Sequence, residues 1–359
     1  ELLLIINASP FEAGKRESRL QVANIVATET ELPLYYVNQV GGQDDIVFDG
    51  GSFVLAADGR VVAQLLEFAE CVTVITDKMA VAKAMPVEET LWSAMKLGLA
   101  DYVRKNGFST VLLGLSGGID SAVTATLAVD ALGAANVKGV LLPSPYTSHD
   151  STEDALLLAK NLGIEIVTIP ITPQMETFEE VLNPVFHDAG WMDDIAVGGN
   201  LQSRLRGVTL MALSNKYGWM LLSTGNKSEI AVGYSTLYGD SCGSYNVLKD
   251  LYKTQVYELA NWRNAQVVVI PKRSITKAPS AELAPGQKDS DQLPPYDVLD
   301  KILHHHIEQH MSAAEIIAQG FDKTVVEKVV RMVRNSEYKR RQSCPGVRLS
   351  SMLFGKDRR

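Results

Sequence analysis

The chain has 359 residues and a formal charge of −8, and at 46% hydrophobic and 21% charged it excludes wholesale disorder and collagen-like repeats. Its length asks for about two domains, no apolar run nears the ~20 residues that cross a bilayer, and the acidic balance excludes a general nucleic-acid binder. Three distant cysteines, Cys71, Cys242 and Cys344, form neither a disulfide framework nor a paired metal site, which suits a reducing cytoplasm.

Residue 1 is Glu, and it runs directly into Leu2-Leu3-Leu4-Ile5-Ile6, a buried-strand pattern too short for a signal segment. A chain that opens inside a strand reads as a piece of a longer polypeptide. The spacing then predicts a helix over 16–30 and strands over 35–40, 46–48, 52–57 and 60–66, with a break at Gly41-Gly42. Asp58-Gly59 supplies a two-residue hairpin signal between the last two. Residues 77–86, with Pro86, read as a linker, and a helix follows over 87–105.

From there strands at 110–115, 137–142, 164–169 and 219–224 alternate with helices at 121–132, 151–162 and 200–217. Strands alternating with helices of this length specify crossover units, a doubly wound parallel sheet, and ligands beyond the carboxyl ends of its strands. Five prolines between 271 and 295 mark a long irregular segment, expected to be a lid or binding loop.

The loop after the first of these strands reads Gly114-Leu115-Ser116-Gly117-Gly118-Ile119-Asp120-Ser121. Its glycines allow backbone N–H groups to close around a phosphate at a helix N-terminus, and its serines add hydroxyl donors. No Gly-Lys-Ser/Thr follows, so this is not a Walker A loop. Asp120 offers a hard oxygen ligand for Mg²⁺ instead.

This loop resembles the pyrophosphate loop of the N-type ATP pyrophosphatases, which cleave ATP between its α and β phosphates and adenylate a substrate oxygen. Further segments are similar to NAD synthetases in particular: Ser223 through Glu229, Val232 through Asp240, Lys249 through Tyr257, Pro279-Ser280-Ala281-Glu282-Leu283 and Lys339-Arg340-Arg341-Gln342. Residues 1–76 resemble the C-terminal part of a nitrilase-type glutaminase, through Asn7-Ala8-Ser9-Pro10-Phe11 to Lys15 and Asn38-Gln39-Val40-Gly41-Gly42.

The resemblance implies a partial αββα nitrilase-like sandwich over 1–76, the linker 77–86, and an α/β synthetase domain of adenine nucleotide alpha hydrolase type over 87–359. It implies a ligase that amidates deamido-NAD with ATP and ammonia, the ammonia channelled from glutamine, in a homodimer with substrate at the subunit interface. ATP falls to the loop 114–121 with Thr224; deamido-NAD to Asn200, Arg204, Glu229 and Lys339; Mg²⁺ to Asp120 and Glu229; glutamine to Ser9 and Lys15. Asp120, Asp240 and Lys253 are the implied catalytic residues, with Lys249 beside them. The glutaminase's catalytic Glu, Lys and Cys fall upstream of the matching part, and Cys71 stands in the wrong place to be the nucleophile. The 359-residue chain is therefore not expected to hydrolyse glutamine.

Several positions carry plainer readings as well. Asn200 also suits a helix N-cap, with Leu201, Leu205, Val208 and Ala212 as the buried stripe behind it. His304, His305, His306 and His310 read as an exposed helical face rather than a metal site. Residues 331–359 hold nine Lys/Arg against two Asp/Glu, an asymmetry that points to an anionic partner. Another ATP pyrophosphatase, amidating or tRNA-thiolating with Cys242, and a non-catalytic RNA-binding module are the competing functions.

Overall fold

The computed structural model describes residues 1–76, 84–186 and 190–357, so most of the 77–86 linker lies outside the described residues. The chain forms two compact units, one of Glu1–Tyr102 with Val347–Ser351 and one of Val103–Gly346 with Met352–Arg359.

In the first unit, β1 (Leu3–Asn7), β2 (Leu34–Asn38), β5 (Phe53–Leu55) and β6 (Val61–Gln64) form one sheet in that order. β1 and β2 run parallel because α1 (Lys15–Thr30) crosses between them. β5 and β6 are antiparallel about the Asp58-Gly59 turn, where Gly59 takes φ 82°. Ala23, Ala27, Leu34, Tyr36, Phe53 and Leu55 make the core of this unit.

The expected break at Gly41-Gly42 is instead inside a strand. β3 (Val40–Gln43) pairs with β4 (Ile46–Asp49), placing Gly41 opposite Phe48 and Gly42 opposite Val47. The glycine is required by close packing. A Cβ on Gly42 would stand 3.1 Å from the Gly98 Cα of α2 (Val87–Lys105), and the Gly42 N–H donates to Asp101 at 2.7 Å.

The second unit is built on five parallel strands: β7 (Val111–Gly114), β8 (Val137–Leu141), β9 (Glu165–Thr168), β10 (Met220–Ser223) and β11 (Tyr245–Asn246). Their order is β11-β10-β7-β8-β9. Helices α3 (Ile119–Leu132), α4 (His149–Leu162), α5 (Thr172–Phe186) and α6 (Asn200–Tyr217) connect them. The chain winds outward from β7 to β9, then returns to the other side of β7 at β10. That reversal opens a crevice beyond the ends of β7 and β10, where such sheets bind ligands.

The remaining helices are α7 (Lys227–Val232), α8 (Lys253–Gln266), α9 (Lys272–Thr276), α10 (Tyr296–Ile307), α11 (Ala313–Ala318), α12 (Lys323–Asn335) and α13 (Glu337–Arg340). The residues of α7, α10, α11 and α12 share a separate core around Leu299, Ile302, Leu303, Val326 and Val329. α10 stops at Ile307, so His310 is off the helix, with φ 56°. His304, His305 and His306 are half-buried, not an exposed face, and His304 lies 3.1 Å from Glu308.

One expectation about α6 fails, and the buried stripe holds at Leu205, with Leu201 packed against the same core, but not at Val208. A π-helix, Ile195–Gly199, runs straight into it, so Asn200 is already helical and caps nothing. Its side-chain N–H donates to Ala196 O at 2.8 Å. The buried positions are Gln202, Ser203, Leu205 and Gly207, while Val208 is 67% exposed.

Candidate nucleotide site

The loop after β7 is pinned by its own hydroxyls. Ser121 Oγ donates to Gly118 O at 3.0 Å and lies 3.1 Å from Ser116 Oγ, which accepts from the Gly118 N–H at 3.2 Å. Gly117 adopts φ 74°, and a Cβ there would stand 2.2 Å from the Ser151 carbonyl oxygen. Only glycine lets the loop pass so close to α4.

Behind this loop is a cavity of about 710 Å³. Gly114, Leu115, Ser116, Gly118, Ile119, Asp120, Ser121, Thr224, Glu229, Asp240, Lys253, Asn200 and Lys339 all line it. The turn after β10 contributes through a capping box: Asn226 accepts from the Glu229 N–H at 3.0 Å, and Glu229 faces the Asn226 N–H at 3.4 Å. The Asn226 side chain also donates to Asp120 Oδ1 at 3.0 Å, tying the β10 turn to the start of α3.

Lys253, at the start of α8, is the electrostatic centre. Its buried ammonium donates to Asp120 Oδ2 and, at 3.1 Å, to Glu229 Oε1. Burial pulls that ammonium toward neutrality, but the Asp120 and Glu229 carboxylates outweigh it and hold Lys253 above the ordinary lysine range. Burial pushes Glu229 up to about 8 despite Lys253, with Asp120 adding to the rise. Asp240 accepts from the Thr236 N–H at 2.6 Å and from Ser203 Oγ at 3.2 Å; its carboxyl is raised above the usual range by burial.

Four expected residues stand elsewhere. Arg204 is exposed outside the cavity lining and donates to Leu237 O at 3.2 Å. Lys249 is buried away from the lining, with its ammonium on Cys344 O at 2.7 Å. Ser9 and Lys15 belong to the first unit, where Ser9 Oγ accepts from Arg19 at 3.0 Å and burial lowers Lys15.

Among the described residues, several cations of the basic tail are engaged within their own chain. Arg340 donates to Ala231 O at 2.9 Å, Arg341 pairs with Glu337, and Arg348 donates to Ser351 O at 3.0 Å. Lys339 reaches the cavity, and its ammonium holds Gly233 O and Ser235 O at 2.7 Å each.

Arg206, Asn226, Lys277, Glu282 and Asp289 are cavity or network residues that no sequence pattern singled out. Arg206 lines the cavity, donates to Leu142 O at 3.0 Å, and is lowered to about 10 by burial. The proline-rich segment supplies Lys277, Glu282 and Asp289. Glu282 takes φ 47° and accepts from Ser148 Oγ at 2.8 Å and Ser151 Oγ at 2.7 Å, joining this segment to the start of α4. The Ser280-Ala281-Glu282 motif was the available signal for it. A second cluster, His149, Asp150 and Glu153, is exposed, and Arg273 already pairs with both carboxylates.

A glycine-serine loop at the sheet's reversal point, facing two carboxylates and a buried lysine, places an anion-binding cradle at the ligand end of an α/β unit. A family model described as NAD synthase matches residues 91–343, and one described as carbon-nitrogen hydrolase matches 1–86. The chain belongs to the NAD synthase family. It is 48% identical over 366 residues to a glutamine-dependent NAD(+) synthetase of Synechocystis sp., covering 99% of this chain and 64% of that protein. Identity to the Rhodobacter capsulatus protein of that name is 50% over 378 residues, covering 100% and 68%. The solved glutamine-dependent NAD+ synthetase of Acinetobacter baumannii in complex with ADP is 44% identical. It matches with a TM-score of 0.72, over 99% of this chain and 67% of that one. The chain thus spans roughly two thirds of the length of these relatives.

Proposed function

We propose that the chain carries out the ATP-dependent amidation of deamido-NAD to NAD, releasing AMP and pyrophosphate. The observation that carries this reading is the convergence of Asp120, Glu229 and Lys253 beside the 114–121 loop. The nicotinate carboxylate attacks the ATP α-phosphorus, forming an acyl adenylate and expelling pyrophosphate. Ammonia then adds to the activated carbonyl, loses a proton, and AMP departs.

Gly114 through Ser121 and Thr224 cradle the nucleotide phosphates, and Lys253 neutralises charge as pyrophosphate leaves. The ADP-bound relative supports a nucleotide here. Asp240, with its raised carboxyl, takes the proton shed by the attacking nitrogen. Asn200, Glu229 and Lys339 receive deamido-NAD.

The donor set fits Mg²⁺, because hard carboxylate oxygens from two elements already converge on one cationic group. Asp120 and Glu229 would hold the ion, which when bound supplies charge neutralisation at the phosphates.

Arg204 stands outside the cavity on the same helix as exposed Val208, and Tyr238 is exposed as well. Such a face suits a second copy of the chain, and we assign Arg204 to substrate across a homodimer interface. Residues 1–76 are assigned to a glutaminase-type domain, 77–86 to the linker and 87–359 to the synthetase. Glutamine binding falls to Ser9 and Lys15 on the family resemblance, and the free cysteines suit the cytoplasm. A thiol-transfer reading fares worse, since burial raises the Cys242 thiol and so disfavours the thiolate.

The test supplies ATP, Mg²⁺, deamido-NAD and ammonium and measures NAD and AMP, then repeats with glutamine. NAD and AMP in equal amounts with ammonium are expected. Absence of AMP at every ammonium concentration overturns the proposal.

A further inference from the structure

The Lys253 ammonium has a neighbour that no step above uses. It lies 5.3 Å from the ring centroid of Tyr296, within the reach of a cation–π contact. Tyr296 opens α10 directly after Pro294-Pro295, and its ring packs against the α7–α10–α12 core. Its hydroxyl donates to Asp289 Oδ2 at 2.9 Å. Asp289 is only 5% exposed, and its backbone N–H donates to Pro279 O at 3.0 Å, which fixes the carboxylate from the proline-rich segment. Asp289 lines the cavity, whereas Tyr296 is outside the lining.

We propose that Tyr296 and Asp289 are positioning residues for Lys253, the ring holding the ammonium while its carboxylate partners change. This rests on the reading of the site proposed above. Asp120 and Glu229 serve two masters there: they hold Lys253 without nucleotide, and they are the donors for Mg²⁺ with it. With Asp120 and Glu229 given over to Mg²⁺, the Lys253 ammonium would lose both partners and be left to the phosphate oxygens. The Tyr296 face competes for neither the ion nor the phosphates, so it is the contact that persists through the exchange. A phenol that donates to a carboxylate is more electron-rich at its face, so Asp289 strengthens the hold from behind.

Two measurements test this. With lysine labelled at Cε, the Lys253 signal is assigned by its loss in Lys253→Arg. It is expected upfield of the lysines that face no ring, as the Lys227 signal is through Tyr252, to stay there in Tyr296→Phe, and to revert in Tyr296→Leu. A Lys253 signal among the ordinary lysines of the unsubstituted protein overturns the contact. The second measurement replaces Tyr296 by phenylalanine and then by phenylalanines of increasing fluorination, which keep the ring's shape while draining its face. The kcat for AMP release is expected to fall stepwise by about tenfold in all, with the KM for ATP within about twofold. Asp289→Asn is expected to lose about threefold in kcat. A kcat flat across the fluorinated series shows a ring that only packs, and sinks the proposal. If the unsubstituted chain releases no AMP, the functional reading fails, while the Lys253 signal still decides the contact.

Discussion

Each unit encloses a cation that joins separate segments, Arg19 in the first and Lys253 in the second, and the two are used in opposite ways. In the first unit Arg19 spends its donors on its own fold: both oxygens of Asp49 at 2.9 and 2.7 Å, Ser9 O at 3.0 Å, Pro10 O at 2.9 Å and Ser9 Oγ at 3.0 Å. Asp49 is further held by Asn38, itself bound to the Ser9 N–H at 2.9 Å. In the second unit Lys253 is bound by two carboxylates that line a cavity. Charges closed onto backbone carbonyls make a girder. Charges closed onto each other beside open volume can be re-partnered by a ligand, and that is what a binding site needs.

The contrast breaks first at Arg19. Arg19→Met strands the buried Asp49 and is expected to cost about 3–5 kcal/mol in the first unit. Hydrogen exchange should show lost protection in β2 and β5, with ammonium-dependent turnover little changed. A large loss of turnover without lost protection would erase the distinction. Lys253→Met is the mirror case: kcat should drop about 10²–10³-fold, from AMP release, while the fold persists.

A smaller effect sharpens the role of Glu229. Its carboxyl, raised to about 8, must lose a proton to hold a cation, so Mg²⁺ affinity in the presence of ATP should rise with pH up to about 8 and then level. The slope is at most about tenfold per pH unit and should flatten in Glu229→Gln. The same shift has a consequence for stability. A folded pKa above the unfolded value means that this carboxyl costs stability as pH climbs from about 4.3 toward 8. The smallest effect belongs to Ser9→Ala, for which ammonium-dependent kcat should stay within about twofold.

The alternation of strands and helices from 110 to 224 made the parallel sheet legible, and the 114–121 loop made its ligand end legible. Both signals are local. What escaped depends on distant geometry. An inserted π-turn at Ile195–Gly199 changed what Asn200 does, and no spacing rule announces it. Lys249 and Lys253 sit four apart in similar surroundings, yet one is bound to Cys344 O and the other faces the cavity. Asp289 could not be chosen from the acidic run Asp289-Ser290-Asp291, because its importance comes from Tyr296 and from packing on Pro279. The excess of positive residues beyond 331 pointed to a partner outside the chain, whereas Arg340, Arg341 and Arg348 are answered within it.

That last feature bears on ionic strength. A cation committed to a carbonyl of its own chain releases no counterion when a polyanion arrives. Arg340 and Arg348 should therefore contribute little to how nucleotide affinity falls with added salt. The dependence should be shallow, set by Lys253 and the 114–121 loop rather than by Arg340 and Arg348.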